Sequence, residues 1–248
     1  MLTKRGVAII ASVGLLFLSY GALELNRNSI YYSMTKAYVE RNIERIMAEQ
    51  EQKLGISCTG EPLLHFAKSA ITLTTFVLNE ERTKPVLDKK GRPVKAKMIL
   101  EANYIPADDS LMFYTSEVST PGLLDRIVRA VTFSGKTRPV DKAVNHELAH
   151  RYTDGVCRSL DKKGWARANQ SVSEGIALSV EVLMTGDEAG SLNEIPPSSI
   201  AGYNAVKEIV SRYGRRGIDY IIQNAVPGED LMQFKERALN ELAGMSGR

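Results

Sequence analysis

The segment Val144-Asn145-His146-Glu147-Leu148-Ala149-His150 carries two of the three histidines in the chain, four residues apart, with a glutamate directly after the first. On a helix, residues i and i+4 lie one above the other, so both imidazoles can reach a single cation with zinc–nitrogen bonds of about 2.0–2.1 Å. Glu147 projects about 100° further round the axis, where it can reach a metal-activated water without being a ligand. The pattern reads as a metal site, with His146 and His150 as ligands and Glu147 as general base. The competing reading is a solvent-facing helix that carries two histidines by coincidence. The remaining histidine, His65 in Leu63-Leu64-His65-Phe66, reads as structural or superficial.

A catalytic zinc site has three protein ligands and one position open to solvent. Downstream lies Ser171-Val172-Ser173-Glu174-Gly175-Ile176-Ala177-Leu178-Ser179-Val180-Glu181. Hydroxyl caps at its start place Glu174 in the first turn of a helix, and Gly175 removes a side chain where two helix backbones must come close. Glu181, seven residues after Glu174, returns to the same face, where its carboxylate can accept the outer ring N–H of a ligating histidine and fix the tautomer. Taken without the upstream histidine motif, this stretch favours the plainer reading, a capping glutamate followed by a solvated one.

Such side chains need a folded domain to hold them. The 248 residues are 44% hydrophobic and 25% charged, the composition of an ordinary globular protein. A net charge of +3 is too even for a phosphate-tracking groove, so nucleic acid is not an expected partner. The amino terminus stands apart. Lys4 and Arg5 precede 18 uncharged residues, Gly6 to Leu23, the lower limit for a bilayer-spanning helix. Residues 1–24 are expected to be a signal peptide or transmembrane anchor, the membrane being a partner through this N-terminal helix. Because cationic flanks stay in the cytoplasm, residues 25–248 are expected on the extracytoplasmic side, periplasmic or extracellular. There Cys58 and Cys157 form either one bridge or two unpaired thiols.

Within 25–248, Ser29 to Leu54 lacks Pro and Gly and repeats apolar residues at helical spacing. Pro62 to Thr72 also reads as helix, and Ile71 to Val77 as the start of a strand. The stretches 85–94 and 99–114 read as hairpins, giving three or four antiparallel strands between about 72 and 116. After Pro121 the pattern is helical, with Asp141 as a cap and breaks at Gly155, at Gly186 to Pro197 and at Gly214 to Gly217. The expected class is α+β: a membrane helix, a helical lead-in over 25–70, a small antiparallel sheet, and a mostly helical, metal-binding half over about 120–245, in one domain.

The His146-Glu147-x-x-His150 pair, followed by Glu174-Gly175-Ile176-Ala177 and Glu181, resembles the gluzincin metallopeptidases, most closely their aminopeptidase branch. The resemblance covers roughly residues 95–240 and implies a zincin-like half with Zn²⁺ bound by His146, His150 and Glu174, and Glu147 as base. It also implies a tyrosine that stabilises the transition state, for which Tyr203 is the candidate. Two features depart from the branch. The interval of 23 residues between His150 and Glu174 is longer. The strand that binds a free amino terminus has no counterpart, its place being taken by Ser110-Leu111-Met112-Phe113-Tyr114, which could instead receive an extended peptide at a sheet edge. The expected function is a zinc-dependent peptidase acting on peptide or protein substrates through metal-activated water. The alternative is a catalytically inactive, membrane-tethered binding or assembly protein on the same scaffold.

Overall fold

The computed structural model describes residues 4–69, 71–76, 86–131, 137–188 and 195–246; of these, 4–24, 72–76, 95–99, 131, 197 and 246 are described by backbone alone. A long helix, α1 (Lys4–Leu54), leads into strands β1 (Leu63–Ala67), β2 (Thr72–Phe76), β3 (Lys95–Ile99), β4 (Ala102–Ile105), β5 (Ser110–Tyr114) and β6 (Val118–Ser119). Helix α2 (Leu123–Val131) and strand β7 (Arg138–Pro139) follow. The rest is helical: α3 (Val140–Ser159), α4 (Trp165–Ala168), α5 (Gln170–Thr185), α6 (Pro197–Asn224) and α7 (Leu231–Ser246). The α+β class holds.

The helix expected from Ser29 to Leu54 is the C-terminal part of α1. Its Tyr31, Val39, Ile43 and Ile46 recur on one side and are buried. Backbone helix continues without interruption to Lys4. Among the described residues no helix is long and apolar enough to cross a membrane. The side chains of the uncharged run expected to do so, Gly6 to Leu23, lie outside the described residues.

The sheet differs from expectation in two ways. Residues 63–67 form strand β1 where helix was expected, pairing in parallel with β5, from Leu63 beside Ser110 to Ala67 beside Tyr114. The sequence reading failed because a five-residue apolar run fits either element until a partner strand is present. In place of one antiparallel sheet there are three small ones, ordered β1-β5-β4, β2-β3 and β6-β7. Ser110–Tyr114 is therefore the central strand of its sheet, flanked on both sides, and the edge it was expected to offer belongs to β4. The expected hairpin is present as the antiparallel β4–β5 pair, and β2–β3 is antiparallel as well.

Two apolar clusters meet at α3. Val140, Ala143, Val144 and Leu148 pack with Val39, Ile43, Ile46, Tyr104, Leu111 and Phe113. Ala149, Tyr152 and Cys157 pack with residues of α5, α6 and α7 such as Ile176, Ile209 and Phe234. A helix clamped on both sides is buried along most of its length, which makes it a rigid carrier for a site. Helix breaks follow the glycines in part. Gly186 closes α5 in the left-handed conformation (φ 70°), and Gly214 kinks α6 (φ 50°, ψ −131°). Gly155, expected to end a helix, lies inside α3; an isolated glycine costs a helix only about 1 kcal/mol, less than flanking burial supplies. Cys58 and Cys157 are free thiols, and burial pushes the Cys157 thiol up to about 11.

Candidate metal centre

The α3 helix begins at Val140, with Pro139 as its N-cap, so Asp141 is a first-turn residue and not the expected cap. Asp141 instead accepts the Tyr38 hydroxyl at 2.9 and 3.0 Å. One turn on, Asn145 accepts from the Gln50 amide at 2.8 Å. These bonds lock α1 against one side of α3 and leave the next face, that of His146 and His150, turned toward α5.

The α5 helix begins three residues before Ser173, so Glu174 lies inside it, past the first turn in which it was expected. Helix α4 and the turn at Asn169 supply the lead-in that the hydroxyl pattern did not reveal. Ser173, freed from capping, places its Oγ 3.4 Å from His150 Nδ1. As the sequence implied, Gly175 marks a close helix approach. A Cβ there would lie 2.6 Å from the Gly202 carbonyl oxygen and 2.7 Å from the Tyr203 nitrogen, both on α6.

This packing brings Glu174 to the histidine pair. His146 Nε2 and His150 Nε2 are 3.2 Å apart. Glu174 Oε2 lies 3.5 Å from His146 Nε2, and Glu174 Oε1 lies 3.5 Å from His150 Nε2. An ion bonded at about 2.0–2.2 Å to tetrahedral corners holds those corners about 3.3–3.6 Å apart. The three distances, which use both oxygens of the Glu174 carboxylate, lie close to that span, and His146, His150 and Glu174 form a group that could hold a metal ion. His146 is 7% exposed, while the Glu174 side chain is 31% exposed, so the group opens to solvent on the Glu174 side.

Behind the triad, fully buried Glu181 places Oε2 3.1 Å from His146 Nδ1, where the sequence reading put it. The same oxygen accepts from Arg138, which also donates to Glu101 Oε2 at 3.0 Å. Arg138 Nη2 lies 3.4 Å from His146 Nδ1. Sequence reasoning missed Arg138 and Glu101. Arg138 sits eight residues before His146 at no helical spacing, and reaches the site only because β7 turns directly into α3. Burial opposes charge on the Arg138 guanidinium, but Glu181 and Glu101 raise its pKa above its ordinary value.

The imidazoles respond in opposite senses. Burial works against charge on His146, yet hydrogen bonds to Glu174 and Glu181 hold its pKa up at about 9. Burial pushes His150 below its ordinary value. Burial would raise Glu174, but the His146 hydrogen bond and the His150 charge outweigh it and hold the carboxyl at about 2. A carboxylate between two imidazoles, one of them cationic, is the protonated counterpart of a metal site.

Glu147 is buried beside the triad, and its Oε2 accepts the backbone N–H of Tyr104 at 2.7 Å. Tyr104 lies opposite Leu111 in the β4–β5 ladder. Its N–H is directed away from β5 toward Glu147, and among the described residues no further strand pairs with that side of β4. Tyr203 is buried on α6 with its hydroxyl donating to Glu188 Oε1 at 2.8 Å. Burial and that carboxylate raise the phenol pKa well above its ordinary value. His65 is on β1, half exposed, with Nε2 3.8 Å from Asp108.

No protein-family model, no curated protein and no solved structure matches the chain.

Proposed function

We propose that the chain is a zinc-dependent peptidase of gluzincin type, tethered by its N-terminal helix and acting on peptides or proteins outside the cytoplasm. The observation that carries this reading is the convergence of His146, His150 and Glu174, whose imidazole nitrogens lie 3.2 Å apart and each 3.5 Å from one oxygen of the Glu174 carboxylate, with a buried glutamate at their side. Two neutral imidazoles and a carboxylate, with solvent access, are the donor set of catalytic zinc and fit it in softness and number. Zinc bound there would polarise the scissile carbonyl and bring the pKa of a water toward 7. Glu147, steadied through one oxygen by Tyr104, takes the proton of the attacking water with the other and passes it to the leaving nitrogen. Glu181, countercharged by Arg138, holds the outer nitrogen of His146 and so keeps its inner nitrogen facing inward. β4 is an edge strand beside Glu147, and an extended substrate backbone would pair with the backbone groups that Glu147 leaves free there. Tyr203 is the candidate to stabilise the oxyanion, a role that requires its hydroxyl to leave Glu188.

The test is metal analysis of the purified chain, followed by cleavage of a quenched-peptide library with and without chelator. Stoichiometric zinc, chelator-sensitive cleavage and an inert but zinc-loaded Glu147→Gln variant are expected. Cleavage undiminished in Glu147→Gln would overturn the mechanism. Bound zinc with no cleavage would favour the alternative, a tethered binding or assembly protein.

A further inference from the structure

Helix α2 is built inside out. Its inward side carries a buried ion pair, with Arg129 Nε 2.9 Å from Asp125 Oδ2 and side-chain exposures of 9% and 2%. The Arg129 guanidinium also donates to the carbonyls of Ser116 and Val118, and stacks 4.1 Å over the Tyr31 ring of α1. Its outward side carries Leu123, Leu124 and Ile127, 74%, 61% and 50% exposed. At 100° per residue these three span one side of the helix, opposite Asp125, Val128 and Arg129. A buried pair of this kind fixes the rotation of the helix, because turning the leucines inward would break the pair. An apolar side held outward against the hydrophobic effect marks an interaction surface.

The occupant follows from where α2 sits. It meets α1 at Tyr31, eight residues beyond Leu23 and so about 12 Å further along the helix axis. α1 is one continuous helix back to Lys4, and the uncharged run Gly6–Leu23 belongs to it. Leu25, at the start of the described side chains, is 89% exposed. A helix lying in a bilayer interface buries its apolar side about 5–10 Å into the boundary between headgroups and acyl chains. Tyr32 and the Lys68 ammonium, 5.9 Å from its ring, lie in this region as an aromatic and a cation suited to the headgroup layer.

We propose that α2 is a second, interfacial membrane contact, laying Leu123, Leu124 and Ile127 into the outer leaflet beside the emerging α1 helix. The bilayer then fixes the tilt of the domain as well as its distance from the surface. This rests on the membrane-anchor part of the proposed function and is independent of the chemistry at the triad.

The experiment uses the full chain reconstituted into phosphatidylcholine vesicles containing phosphatidylglycerol, with Leu124→Trp as reporter. The natural chain has one tryptophan, Trp165, which is buried and gives the baseline. Flotation of the vesicles tests the anchor. Lipid brominated near the headgroup end of its acyl chains tests α2. The expected result is co-flotation, a blue-shifted emission from position 124, and loss of most of that added emission in brominated lipid. Co-flotation with no quenching beyond the Trp165 baseline would overturn the α2 contact while leaving the anchor standing. Shielding of position 124 from aqueous acrylamide without quenching by brominated lipid would place protein, such as a second copy, on this side of α2 and also overturn it. Failure to float would remove the anchor, and the contact with it.

Discussion

The close approach of α5 to α6 makes Gly175→Ala the most informative single change. The new methyl carbon would sit 2.4 Å from the Gly202 carbonyl carbon, 2.6 Å from its oxygen and 2.7 Å from the Tyr203 nitrogen. Carbon–oxygen contacts settle at about 3.3–3.6 Å, so the two backbones must part by at least roughly 0.7 Å at this point. Neither atom is the end of a flexible side chain, and both belong to a helix packed into the core. Overpacking of this kind costs about 1–3 kcal/mol, against which the alanine recovers about 0.5–1 kcal/mol of helix propensity. A net loss of about 1–2 kcal/mol lowers Tm by roughly 2–8 °C in a chain of this size. The displacement also reaches the neighbouring Glu174, and metal ligands tolerate errors of only about 0.2 Å, so zinc affinity should fall at least about tenfold. Gly155→Ala is the control. Gly155 lies inside α3, and a Cβ there meets nothing within 4 Å, so this variant should gain about 0.5–1 kcal/mol and bind zinc normally. Thermal unfolding of both variants, with a competitive zinc titration, decides the matter. Gly175→Ala with an unchanged or raised Tm and undiminished zinc affinity would refute the claim that this contact sets the position of Glu174.

Glu181→Gln removes the charge behind His146 while keeping the shape, and should weaken zinc binding about 10- to 100-fold; equal affinity in a chelator competition would show that the 3.1 Å contact does not orient the ligand. With its pKa held up at about 9, His146 is charged in the metal-free protein at pH 7.5. Zinc needs the neutral ring, so binding should release about one proton, and apparent affinity should climb about tenfold per pH unit before levelling off above pH 9. Calorimetry in buffers of different ionisation enthalpy measures that proton, and a binding heat independent of buffer would contradict the assignment. Tyr203→Phe loses one part-buried hydrogen bond to Glu188, worth about 1 kcal/mol. If the phenol serves turnover, kcat should fall about 100- to 1000-fold while KM barely changes and Tm drops by only about 2–4 °C; an unaltered kcat would remove Tyr203 from the reaction.

How far the sequence reaches is clearest at the site. His146, Glu147 and His150 were legible because a local helix period relates them, and any helix at that position aligns the two imidazoles. Glu181 was legible relative to Glu174 for the same reason, seven residues being two turns. The sequence also determined that α3 is apolar enough to be internal and that Gly175 has to accommodate a neighbour, since a missing side chain within a helix is costly unless something occupies its place. Tertiary structure alone decided the rest. Only the docking of α5 on α3 brings Glu174 to 3.5 Å from both imidazoles, and only the turn from β7 into α3 delivers Arg138. Leu63–Ala67, inside the Pro62–Thr72 stretch expected to be helical, became strand β1 through pairing with β5, from nearly fifty residues downstream. The hydrogen bond from Tyr203 to Glu188 is likewise one that no spacing rule foretells. Relations within one helix are fixed by backbone geometry and can be read from residue types. Relations between elements depend on which surfaces bury one another, a balance summed over the whole chain.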